Sequence, residues 1–296
     1  MAVRDIGGHT GYRSHRAARN VEFARVDLLH WLLFGVLPAL AVVLVFVGVG
    51  GPRLLGLALA VAICVPMAMS VGLPDWPWSI GVRRGDPVQW LWWCLAAAGV
   101  LGAAYDLRLL PRWLLLPCEL LLVVLLPWLL SGEQRAGWSF EWCVVMLGAA
   151  WLFVMLLWWV LRQAAKLQPG MTVPLVGAIA LVADALVLRA LGGRLGWELA
   201  GIGAVALGVS VATTIWRRPF VCGTGGTLCI ALAHAGILLC DRGERHLLQT
   251  PFLLALVAPL ALWLATTKLF ADGRATGMVV GVLATAGIAT GAVLAA

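Results

Sequence analysis

The sequence predicts an all-α, polytopic integral membrane protein of about ten transmembrane helices, and three observations carry that prediction. Only 12% of the 296 residues are charged while 62% are apolar, with a mean hydropathy of +0.97; a soluble domain carries about a quarter charged residues. Twenty-one Lys and Arg with fourteen Asp and Glu are too few to cover a water-facing surface, which excludes a soluble globular fold. Apolar runs close to the ~20 residues that cross a hydrocarbon layer recur along the chain. These runs lack the apolar/polar alternation of a barrel, so helices are the remaining way to pair every backbone amide in lipid.

Residues 1–27 are mostly polar and carry Arg4, Arg13, Arg16, Arg19 and Arg25. They do not form a secretory signal and read as an interfacial or disordered arm before a single transmembrane domain, 28–296. The spans fall at 31–50, 54–73, 88–105, 113–130, 142–161, 173–191, 197–216, 220–240, 250–269 and 276–295. Trp31, Trp90, Trp113, Trp128, Trp142, Trp197 and Trp216 mark their ends, where an amphipathic ring favours the headgroup layer. The longest linker, 74–87, has no room for a soluble domain. Pro38, Pro66, Pro117, Pro127, Pro174 and Pro259 lie within or near helix ends and predict kinks, which membrane helices tolerate.

The net charge of +7 is spread in ones and twos among apolar segments, so it reads as topology determinants and headgroup contacts rather than a nucleic-acid surface. The tail and even-numbered linkers hold twelve Lys and Arg against nine in the odd-numbered linkers; without the tail the balance reverses, seven against nine. Charge counting therefore does not orient the chain. All seven cysteines lie in or beside apolar stretches without CxxC or Cys/His spacing, and read as small core residues with no metal role.

Ionisable residues inside the spans are costly unless paired or wetted, which makes Glu119, Asp184 and His234 candidates. A proton- or ion-coupled path through the three is one reading; interhelical hydrogen bonding is the structural one. Glu198, near a helix start, is discounted because a carboxylate there is favoured by the helix dipole.

Two linkers are less generic. One ends a helix in Tyr105-Asp106-Leu107-Arg108, turns through Pro111 and re-enters the membrane. In the other, Arg217-Arg218-Pro219 lead to Gly223-Thr224-Gly225-Gly226-Thr227 at the head of a helix, where unpaired backbone N–H groups suit an anion. In this order the two segments resemble the polyprenyl-phosphate N-acetylhexosamine-1-phosphate transferases, across roughly 88–274. The resemblance implies about ten or eleven helices in a bacterial cytoplasmic membrane, with the odd linkers cytoplasmic. It also implies a magnesium-assisted reaction of a nucleotide sugar with a polyprenyl phosphate. The family's Asp-Asp pair is Tyr105-Asp106 here, its Gly-Asp-x-Gly-Ser turn has Thr224 in place of the acid, and the linker 162–170 lacks the family's Asn and Asp. The acid that ends the family's next helix falls at Ala265 or Thr266, and the histidine motif is missing beyond it. One carboxylate and a threonine make a poor magnesium site, so no cofactor is expected. Prepilin-type aspartic peptidases share a helix-end Asp and a Gly-rich loop, but their chemistry needs two carboxylates.

The resemblance thus implies a catalytically degenerate relative that retains a lipid-phosphate site. Arg217, Arg218 and Gly223 to Thr227 would bind it, Arg108 and Lys166 would converge from neighbouring linkers, and only Asp106 would remain for catalysis. A transporter or flippase using Asp184, Glu119 and His234 is the alternative from another class, and a scaffold subunit the third. The expected partners are membrane lipid and, by self-association or otherwise, other membrane subunits.

Overall fold

A computed structural model describes residues 31–71, 87–135, 137–168, 170–192, 194–216, 222–240, 250–266 and 274–296. The described residues are helical throughout, joined by short turns, with no strand among them. A π-helical turn, Leu32–Val36, leads into α1, Leu37–Gly50. The 3-10 turn Gly51–Leu54 joins it to α2, Leu55–Val71. Then come α3, Pro87–Asp106; α4, Arg112–Leu130; and, after the single turn Gly132–Arg135, α5, Phe140–Leu167. They are followed by α6, Thr172–Ala190; α7, Arg194–Trp216; and α8, Thr224–Cys240. The next apolar segment is interrupted: α9, Thr250–Val257, a 3-10 turn at Ala258–Ala261, and α10, Leu262–Thr266. The last helix is α11, Arg274–Ala295.

Six of these, α3 to α7 and α11, are long and apolar enough to cross a membrane. Of four shorter apolar segments, Leu32–Val45 and Leu55–Met69 precede α3, and Thr224–Cys240 and Thr250–Leu264 lie between α7 and α11. Together they make the polytopic helical membrane protein expected from composition. The polar tail, 1–27, lies outside the described residues.

Packing is built around α8, whose residues are buried from Gly225 to Leu239. It touches α2 through α7, so its own side chains need no polar face. Peripheral helices instead turn apolar side chains outward, including Leu121, Val145, Leu152 and Leu283, as a lipid-facing surface requires. Close approach of α3 and α8 requires glycine at both positions of contact. A β-carbon on Gly102 would overlap the Gly225 backbone, and one on Gly225 would stand 2.6 Å from the Gly102 Cα.

Two boundaries differ from the sequence reading in ways that matter for function. The fifth span ends six residues later than expected, at Leu167, so Arg162 and Lys166 project from a helix rather than a linker. Its 28 residues reach about 42 Å, longer than the hydrocarbon, and carry these cations towards the headgroups. The segment expected as one helix over 250–269 breaks at Pro259, whose missing N–H removes a ladder bond.

Candidate functional site at the cationic end of the bundle

The two unusual linkers meet. Asp106 closes α3, and the backbone N–H groups of Thr224 and Gly225, at the head of α8, donate to its carboxylate. The next two donors of that helix, on Gly226 and Thr227, bond to the Gly223 carbonyl at 3.1 and 3.3 Å. The first-turn amides offered to an outside anion by sequence reasoning are therefore engaged inside the protein. A side chain at Gly223 would overlap Asp106 Oδ2, which explains glycine there. Among the described residues Oδ2 is buried without a hydrogen-bond partner, and the cation acting on this carboxylate is Arg53. Thr227, a core residue, donates its Oγ1–H to Thr224 O at 2.8 Å. Cys222, buried, lies within electrostatic reach of the same carboxylate.

A second ionic contact lies alongside. Glu119 of α4 is 1% exposed, and Arg162 Nη1 of α5 donates to its Oε2 at 2.7 Å. Arg162 also sits over the Trp158 ring, 5.1 Å from its centroid. Lys166, one turn on, and Asp106 both lie within electrostatic reach of Glu119. Glu119 thus belongs with the Asp106 end of the molecule rather than with Asp184 and His234, and the three-residue path expected from sequence is not brought together.

Asp184 and His234 do pair, deep in the bundle. His234 Nδ1 lies 2.6 Å from Asp184 Oδ2, with both side chains almost wholly buried. The other ring nitrogen, Nε2, lies 3.2 Å from the Leu256 carbonyl, which can only accept, so Nε2 carries a proton. One further proton is shared between Nδ1 and the carboxylate, leaving the pair net neutral. Leu256 lies two residues before the 3-10 turn Ala258–Ala261, where the α-helical ladder is interrupted. Asp184 Oδ1 is buried without a partner. Arg189, five residues on from Asp184, lies over the Trp197 ring, 5.3 Å from its centroid.

Arg108 has an exposed side chain just past α3, and Arg217 and Arg218 lie outside the described residues. The sequence reading missed Arg53. It stands in a short linker with no motif, and only the folded chain carries it to Asp106. Among the described residues, helix alternation puts six Lys and Arg (Arg53, Arg108, Arg112, Arg162, Lys166 and Arg274) but one acid, Asp106, at the Asp106 end. The opposite end has three of each among the described residues (Arg135, Arg189 and Arg194 with Glu133, Glu141 and Glu198), and Glu119 and Asp184 lie within the spans. The excess positive charge of the described residues is thus concentrated where α3 and α8 meet.

This donor set does not fit a magnesium ion. Asp106 already accepts two amides and faces Arg53, and Thr224 supplies no carboxylate. Among the described residues no three His, Cys, Asp or Glu side chains gather as a metal-binding group. No protein-family model matches the chain, and no curated protein matches it either.

Proposed function

We propose that this multi-pass membrane protein is a non-catalytic relative of the polyprenyl-phosphate N-acetylhexosamine-1-phosphate transferases, and that it binds a lipid phosphate at the cationic end of its bundle. The observation that supports this reading is the convergence of Asp106 with the Gly223 to Thr227 turn. These segments are far apart in sequence, and the resemblance requires them to share one site. Arg53, Arg162 and Lys166, with Arg217 and Arg218 preceding α8, supply the charge for a phosphate. Because Asp106 occupies the α8 amides, the phosphate is held by side-chain cations. Among the described residues no metal-binding group gathers to support transfer chemistry. The test is to purify the full chain, identify the co-purifying lipid by mass spectrometry, and assay transfer from UDP-sugars with and without magnesium. Bound polyprenyl phosphate without turnover is expected. Magnesium-dependent turnover lost in Asp106→Asn would overturn the assignment as non-catalytic.

The Asp184–His234 pair favours a second reading, a proton-linked carrier. A mid-membrane carboxylate beside an interrupted helix is how many transporters build a binding site. Asp184→Asn separates the two readings. An asparagine amide can still donate to Nδ1 and keep Nε2–H on Leu256, yet it holds no transferable proton. Proton flux in vesicles that this variant abolishes would favour the carrier; lipid-phosphate binding that survives it would favour the first reading.

A further inference from the structure

The turn between α3 and α4 is closed in a way its residues do not favour. Arg108 N–H donates to Tyr105 O and Leu109 N–H to Ala104 O, each at 2.8 Å. This pair of bonds defines a Schellman cap, in which the first residue beyond the helix cap is left-handed and usually glycine. Here it is Arg108, with φ 63°, where a β-carbon crowds the backbone. The same motif usually folds an apolar side chain at the next position back onto the helix. Leu109 is instead 73% exposed, and Leu107 and Trp113 beside it are 46% and 75% exposed. Both places where the cap would be tuned for folding are turned outward.

We propose that this turn binds the headgroup of an anionic phospholipid of the surrounding leaflet, with Arg108 on the phosphate and Leu107, Leu109 and Trp113 among the upper acyl chains. Exposed leucines at the end of a membrane-spanning helix meet lipid, and an indole there sits at headgroup level. A guanidinium between them forks onto phosphate oxygens. Strain kept at an arginine, where glycine would relieve it, is accounted for by what the side chain does outside the protein. Charge complementarity favours this occupant: among the described residues Arg108 lies at the end of the bundle that holds six Lys and Arg against one acid, Asp106. The inference rests on the membrane-spanning architecture and does not depend on polyprenyl-phosphate binding.

The test compares the full-length wild type with Arg108→Gly, Arg108→Ala and Arg108→Lys in mixed phosphatidylglycerol and phosphatidylcholine. Retained lipid is read by native mass spectrometry with and without excess inorganic phosphate, and each variant is melted. The wild type should retain phosphatidylglycerol selectively, unaffected by free phosphate, and Arg108→Lys should keep most of that selectivity. Arg108→Gly should lose it at least about fivefold while melting about 2–4 °C higher, because the strain is gone. Arg108→Ala should lose the lipid without the rise in melting temperature. Unchanged lipid selectivity in Arg108→Gly and Arg108→Ala, displacement by free phosphate, or a lower melting temperature in Arg108→Gly would each overturn the proposal.

Discussion

At the scale of single residues, Asp106 changes meaning between sequence and structure. As the surviving half of an Asp-Asp motif it looks like a remnant of catalysis; in the fold it is a capping carboxylate joining α3 to α8. Substituting an N-terminal cap typically costs about 1–2 kcal/mol. Asp106→Ala should therefore lower unfolding stability by about that much, and Asp106→Asn by less, because an amide oxygen still accepts from Thr224 and Gly225. Equilibrium unfolding in detergent checks this; equal losses in the two variants would remove the capping role. Asp184 and His234 could be recognised from sequence because an ionisable group in an apolar run stands out. Their pairing was not, since it depends on which faces of α6 and α8 meet.

At the scale of elements, α4 and α5 are clasped by Glu119 and Arg162. Breaking a buried pair by removing one partner costs about 3–5 kcal/mol, since the other charge is left without compensation, whereas replacing both by apolar groups is often neutral. Arg162→Leu alone should thus destabilise strongly, while Glu119→Leu combined with Arg162→Leu should recover most of the loss; a double-mutant cycle by thermal melting reads the difference. Helix existence was legible throughout, because hydropathy dictates it. The ends were not: polar residues such as Arg162 and Lys166 look like linker, yet a helix longer than the bilayer continues past the hydrocarbon. The break at Pro259 was foreshadowed by the proline, while the contact of His234 with the Leu256 carbonyl beside it required the neighbouring helix.

For the whole molecule, alternation of the helices turns a scattered charge into an asymmetric one, with the excess at the Asp106 end. The resemblance to the transferases implies that this end is cytoplasmic. Single cysteines engineered in 131–141, at the opposite end, should then react with an impermeant maleimide applied from outside, and a cysteine at the exposed position of Lys166, at the Asp106 end, should not; the reverse pattern would reject that orientation. What the sequence by itself determined was the class of protein. Too little charge for a water-facing surface, together with repeated runs of bilayer length, leaves helices in lipid as the only way to satisfy the backbone. It also singled out the two linkers. Only the tertiary structure decided what those linkers do, and it turned the apparent anion site of α8 into a contact with Asp106. The physical reason is that hydropathy is a property of each segment alone. A hydrogen bond between residues far apart depends on packing, here on glycines that let α3 and α8 touch.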